Sequence, residues 1–342
     1  MAFIQRHHLH YVIAIGAGLS IAFLGRFTFA SRWFNDAGGL LMLCFLVLIP
    51  MALGAITVHF TPVTASRNWR TTWGPFVTVL LFLVMALLFL LEGLICVLII
   101  SPLFLFTSCI GARLYLLLTD NKPDNTKTYT VVGFALLPFL LAPVESQFTA
   151  PDDLRRVENT VVIAAPAAVV WQHIIRVPPI QARDLGPSLV DRIGFPRPVE
   201  ATLTHEGVGG VRYATFERGV EFIETVDVWE PQQRLSFSIV PNTATIPPTT
   251  FDEHVTVGGQ FFDVLRGTYE LEPLGTGRTR LILYSQQRLS TRLNPYAGLW
   301  TDFVMSEIQR RILEVIRRRC GTEAARPVAS QETTVIPSGV EE

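Results

Sequence analysis

Charge is almost missing from the first 145 residues of this 342-residue chain. The acids there are Asp36, Glu92, Asp120, Asp124 and Glu145, and the only lysines of the whole protein are Lys122 and Lys127. Water-soluble domains carry about a quarter charged residues, so this stretch is not an ordinary soluble domain. A strong net charge is also lacking. With 28 bases against 29 acids the balance is -1, which excludes the electrostatic footprint of a nucleic-acid binder. Cysteine is scarce. Cys44, Cys96 and Cys109 sit in apolar runs and Cys320 stands alone, so neither a disulfide framework nor a metal-ligand spacing exists, and no metal or cofactor is expected. Ser285 and Ser290 lack the glycine-flanked elbow of a hydrolase, and no catalytic constellation can be assembled.

What is present divides near residue 146. The mean hydropathy of +0.38 comes from long apolar runs before that point. A membrane-spanning helix needs about 20 mostly apolar residues. Residues 11–29 and 39–60 meet this, and residues 73–119 are long enough for two spans, with a break at Glu92-Gly93 or at Ser101-Pro102. Residues 128–143 are shorter and contain Pro138, which leaves four or five spans. With five, the excess of Arg and Lys near helix ends puts the N-terminus in the cytoplasm and the C-terminal part outside it. With four, the C-terminal part returns to the cytoplasm. Glu92 is the one acid deep in the long apolar stretch. It is either a functional intramembrane group or a turn residue at headgroup level.

After residue 146 the pattern changes to period-two alternation bounded by turn residues, the signature of antiparallel strands. Residues 157–164 read as a strand. Ala167–Arg176 reads as a short helix entered through Pro166, and a second short helix and loop follow. Six further strands are expected at 198–206, 211–218, 220–229, 234–240, 259–273 and 279–287. Residues 294–319 form a long amphipathic helix whose apolar stripe is Leu299, Phe303, Ile308, Ile312, Val315 and Ile316. A curved sheet wrapped around one long helix leaves a cavity between them.

Strand parity nominates the cavity wall. In 220–229 the even set is apolar except for Glu224; in 234–240 the odd set contains Phe237; in 259–273 the odd set contains Phe261, Asp263 and Tyr269. In 198–206 the odd set ends at His205, and in 211–218 the parity is ambiguous, with Tyr213 in the odd set. His254 lies in a loop that would cover the mouth. A lone carboxylate on an apolar face must find a partner. Glu224 therefore either anchors the polar end of a ligand or pairs with an arginine such as Arg212. His205 and Asp263, near strand ends, are either polar anchors or solvated rim residues.

The order strand, two short helices, six strands, long helix resembles the SRPBCC superfamily, the Bet v 1-like and START-related folds that include polyketide cyclases. Four stretches carry the resemblance: VVIAAPAAVVWQHI at 161–174, VEFIETVDVWEPQQRLSFSIV at 220–240, GTYELEPLGTGRTRLIL at 267–283, and the terminal helix. It covers residues 157–320, and with the apolar N-terminal part it is similar to a bacterial group of membrane-attached SRPBCC proteins. The resemblance implies a helical transmembrane bundle (1–146), a linker (147–156), an α+β helix-grip domain (157–320) and a disordered tail (321–342). It also implies a bacterial plasma-membrane protein whose partners are the bilayer and a hydrophobic small molecule or lipid. The readings it leaves open are a binding module, a cyclase or dehydrase acting on a membrane-soluble substrate, and a structural or sensory domain with a collapsed interior. Oligomeric state is not readable from the sequence.

Overall fold

The computed structural model describes residues 2–35, 38–181, 184–242, 258–275 and 277–324 of the chain; side chains of 2–8, 35 and 322–324 are outside the description. Five apolar helices come first: α1 (Ala2–Phe29), α2 (Cys44–Phe60), α3 (Trp69–Leu88), α4 (Leu94–Thr119) and α5 (Asp124–Glu145). Four of them are long and apolar enough to cross a bilayer, and α2 is shorter. The long central run breaks at Glu92-Gly93; Pro102 lies inside α4. Both α2 and α3 open with a wide π-helical turn, Cys44–Leu48 and Trp69–Trp73, and each of these turns precedes a proline, Pro50 or Pro75. A proline has no N–H to donate and its ring crowds the carbonyl one turn back, and a widened turn accommodates both.

α2 lies at the centre of the bundle, which is why a short helix suffices there. Ile49, Ala52, Leu53, Ala55 and Val58 are at most 1% exposed. Glycines let its backbone touch α4: a Cβ at Gly54 would stand 2.0 Å from the Ser108 carbonyl oxygen, and one at Gly111 2.1 Å from that of Met51. Small residues at helix crossings are how apolar helices gain contact when lipid offers no hydrophobic drive.

The helices alternate in direction. At one end Tyr11 meets Trp69 edge-on and His59 is hydrogen-bonded to Tyr115 at 2.7 Å. At the other end Arg26 pairs with Glu92 at 2.6 Å, and the Glu145 carboxylate accepts the backbone N–H groups of Leu43 and Cys44. The C-terminal domain sits on this second end. Arg292 is 3.4 Å from Glu145, the Tyr296 hydroxyl donates to the Ile99 carbonyl, and Phe261 lies against Gly38.

That domain is a helix-grip fold. Its strands are β1 (Asp153–Ile163), β2 (Pro198–Leu203), β3 (Val211–Phe216), β4 (Glu221–Glu230), β5 (Arg234–Pro241), β6 (Phe262–Pro273) and β7 (Thr279–Leu289). They form one antiparallel sheet in the order β1-β7-β6-β5-β4-β3-β2. Two short helices, α6 (Ala167–Ile175) and α7 (Leu189–Arg192), precede β2, and the long α8 (Asn294–Ala324) closes the domain. The inward stripe of α8 differs from the expected one. Leu299 is 69% exposed, while Val304, Leu313 and Cys320 join Val315 and Ile316 in the interior. Where a disordered tail was expected from residue 321, α8 runs on to Ala324, and residues 325–342 lie outside the described residues.

The two ends of the grip are packed differently. Around the C-terminal half of α8 the interior is solid, with Ile174, Leu235, Leu281, Leu313 and Ile316 in one cluster and Trp171 edge-on to Trp229 at 5.1 Å. Around its N-terminal half, facing the bundle, it is hollow.

Candidate functional site: a cavity shared by the grip and the bundle

The hollow has a volume of about 360 Å³, within the range that holds a drug-sized ligand. Its wall comes from the inner faces of β2–β7, from α8 between Tyr296 and Ile312, and from the domain-facing ends of α1–α4. Most of it is hydrocarbon, and one place in the grip carries a buried ion pair.

That place is the β3–β4 pair. Arg212 and Glu224 are direct cross-strand partners, both on the inner face. Their side chains form an ion pair while only 5% and 8% exposed. The guanidinium also lies 5.3 Å from the centroid of the Phe237 ring and next to buried Tyr269. Burial pushes the Glu224 carboxyl above its ordinary value, and the adjacent guanidinium pulls it back. Burial works against the Arg212 charge as well, but Glu224 and Tyr269 more than offset it, so the arginine stays protonated. The Tyr269 hydroxyl is raised, first by its burial. Arg212 keeps one donor in reserve, since its Nε–H has no partner, and the buried Thr215 hydroxyl on the same wall has none either.

A second polar feature is satisfied internally. Gln309 of α8 donates to Ser285 at 2.8 Å and to the Val157 carbonyl at 3.2 Å, and accepts from Asn159 at 2.8 Å. Beside it, Asp302 accepts from Arg155 and Gln287, each at 3.0 Å. This seam fixes α8 against β1 and β7 and leaves Ser285 and Gln309 in the cavity wall with their hydrogen bonds already made.

Of the residues nominated by parity, the fold brings Glu224, Phe237, Phe261 and Tyr269 to the cavity. It places three others elsewhere. β6 carries a bulge between Val264 and Arg266. The extra residue reverses the alternation, so Gly267, Tyr269 and Leu271 point inward after it while Val264 points inward before it. Asp263 is thereby turned out of the wall, opposite Arg288 in register; its carboxyl is raised by partial burial. Tyr213 is 37% exposed because β3 presents its even set, Arg212, Ala214 and Phe216. His205 is exposed in the turn after β2, beside the Thr204 hydroxyl at 3.2 Å. His254 lies outside the described residues. Among the described residues the wall contains no histidine. A bulge in β4 between Val226 and Val228 likewise turns Trp229, in the odd set opposite Glu224's, onto Trp171. Glu224 pairs with Arg212, one of the two readings the sequence offered for it, while parity did not reach the polar wall residues Glu200, Thr215, Ser285 and Gln309 or the contribution of the bundle.

No protein-family profile matches the chain, and no curated protein matches it. Among solved structures it is similar to the Zhui aromatase/cyclase of a Streptomyces species, at 19% identity and a TM-score of 0.32, covering 50% of this chain and 96% of that one. It is similar to a norcoclaurine synthase from Thalictrum flavum at 12% identity and 0.33, covering 51% and 99%. A protein from Nitrosospira multiformis is similar at 18% and 0.30, covering 50% and 100%. Likenesses this distant do not bear on chemistry; the fold stands on the strand order and the helix placement given above.

Proposed function

We propose that the protein is a membrane-anchored binding module that holds a hydrophobic small molecule or lipid, with Arg212, Glu224 and Tyr269 orienting the ligand's polar end. The observation that carries this reading is the open, mostly hydrocarbon-walled cavity with a buried polar pole in the grip, set directly on the end of an apolar helical bundle. A pole made of a guanidinium and a carboxylate is neutral overall, so it suits a ligand whose polar group is uncharged and accepts a hydrogen bond. The family resemblance of residues 157–320 agrees with a binding role. It leaves the cyclase alternative, for which Glu224 and Tyr269 are the titratable groups deep in the grip, second to binding. The charge distribution fits a cytoplasmic N-terminus and a grip domain on the other face of the membrane.

The test is extraction of the full chain into lipid nanodiscs, removal of bulk lipid and mass spectrometry of what the protein retains. An apolar compound in stoichiometric amount is expected from the natural protein, and less of it from Gly267→Leu, which fills the grip. Folded natural protein that retains nothing beyond the nanodisc lipid would overturn the proposal.

A further inference from the structure

The cavity does not stop at the foot of the grip. Leu40, Phe45, Phe82, Leu83, Ile100 and Phe104 belong to the bundle or its connecting loop, and all of them line the same hollow as Arg212 and Tyr269. Phe82 and Phe104 are stacked at 6.3 Å and Phe45 lies 5.7 Å from Phe104, so this wall is an aromatic cluster within the helices. Where the two halves meet, Arg26 near the end of α1 pairs with Glu92 in the α3–α4 loop and donates to the Leu91 carbonyl at 2.6 Å. That pair is the charged feature of the bundle half, and it is neutral as a pair. The other charged, hydroxyl-bearing and amide wall residues, Glu200, Thr215, Ser285 and Gln309 among them, belong to the grip half.

From this asymmetry we infer that the bundle forms half of the binding site: the ligand is a single-chain amphiphile whose head lies in the grip and whose hydrocarbon chain runs past Arg26–Glu92 into the bundle. The inference rests on the binding function proposed above and adds the ligand class and a role for the membrane helices beyond anchoring. Three observations select this occupant. One cavity is lined by residues from both sides of the junction. Its polarity falls from grip to bundle. Its volume of about 360 Å³ is at the small end of the range for ligand cavities, which favours one hydrocarbon chain over two. Burial of each methylene in the bundle half contributes to affinity as in any hydrocarbon environment, so a compact aromatic ligand confined to the grip would leave that half of the wall without function.

The experiment uses the full chain in phosphatidylcholine nanodiscs and hexadecanol carrying a photoreactive diazirine at either its third or its last carbon. Cross-linked peptides are mapped by mass spectrometry. The head-proximal probe is expected to label Phe237 or Tyr269. The terminal probe is expected to label Phe82, Leu83 or Phe104 in addition to lipid-facing positions such as Leu117. Ala86→Trp, and the milder Ile100→Phe, fill the bundle half and should remove the interior labelling while Leu117 is labelled as before. Terminal labelling confined to the grip or to lipid-facing positions overturns the inference and leaves the binding proposal intact. Head-proximal labelling absent from the grip overturns the binding proposal itself. If both filling variants fail to fold, the labelling pattern of the natural protein decides alone.

Discussion

Removing the charge of Glu224 with Glu224→Gln should destabilise the grip domain severely, and removing both charges should not. Arg212 is 4% exposed and its carboxylate partner 6%. Breaking a buried pair from one side leaves an uncompensated charge and costs about 3–5 kcal/mol, whereas replacing both partners by apolar residues of similar size is often neutral or better. At about 2–4 °C per kcal/mol for a domain of this size, the single variant should lose about 6–20 °C in thermal midpoint. Arg212→Met combined with Glu224→Leu should return close to the natural value, because Met and Leu extend a wall that is already hydrocarbon. Arg212→Met alone should resemble Glu224→Gln, with the carboxylate now the unpaired member. The measurement is near-ultraviolet circular dichroism of the full chain in nanodiscs, comparing the natural protein with the three variants. A loss below about 1 kcal/mol in both single variants, the worth of a solvated surface pair, would refute the reasoning. It would mean that water reaches the pair through the cavity and that the pole is a wet one. The double variant separates stability from function: it should fold and yet retain less ligand, since the reserve donor on Arg212 and the charge beside Tyr269 are both gone.

Three other outcomes follow from close contacts and charge. Gly267→Ala would place a Cβ 2.6 Å from the Phe237 ring; overpacking of this kind costs about 1–3 kcal/mol, and Phe237→Leu in the same chain should recover most of it in a chemical unfolding curve. Gly111→Ala drives a Cβ to 2.1 Å from the Met51 carbonyl oxygen and must push α2 and α4 apart, whereas Gly133→Ala meets nothing within 4 Å; heating in nanodiscs should melt the first variant at lower temperature than the second, and equal midpoints would refute the close crossing. Glu314 is held down to about 2 from 4.5, first by hydrogen bonds from Arg317 and then, against some burial, by Arg318. A carboxyl lowered on folding contributes stability that is complete above its unfolded value and lost as pH falls through its folded one, so α8 should weaken between roughly pH 4.5 and 2, and the dependence should flatten in Glu314→Gln when followed by helical circular dichroism.

Much of the architecture is written in local pattern, because local physics decides it. Runs of apolar residues longer than a bilayer is thick have one stable form, and the five helices lie where those runs lie. Of the two breaks the sequence offered, Glu92-Gly93 and Ser101-Pro102, the chain takes the first, and Pro102 stays inside α4. The start of α2 did not follow from hydropathy, which runs smoothly from residue 39. Gly38 and Gly39 take φ values of 99° and 45°, so the chain turns there on residues that tolerate the left-handed region, and α2 begins only at Cys44, with a π-helical turn before its regular part from Ile49. In the grip, seven strands and their turns were legible because alternation against one apolar face is a strong signal.

The site was legible only up to the first irregularity in each strand. Alternation predicts facing correctly as long as the register is unbroken, so β5, which has no bulge, gave Leu235, Phe237 and Ile239 on the inner face as expected. β6 and β4 each gain one residue at a bulge, so the two sides of it follow opposite parity: Tyr269 faces the cavity as read while Asp263, on the other side of the β6 bulge, leaves the wall, and Trp229, past the β4 bulge, turns onto Trp171. A bulge has no reliable residue signature, whereas its effect on a site is total for that strand. The bundle half of the cavity was hidden for a different reason. Phe45, Phe82 and Phe104 occur on three different helices in sequences that read as plain membrane spans, and nothing local distinguishes a phenylalanine that faces lipid from one that faces a hollow. The docking contacts decide which it is. Glu145 holds the N–H groups that open α2 and also faces Arg292 at the entrance to α8, so one carboxylate at the end of the last apolar helix ties the central helix of the bundle to the long helix of the grip. That tie sets the open end of the sheet over the helix ends, and the cavity is a consequence of two units closing on each other, which is a property that neither half of the sequence carries alone.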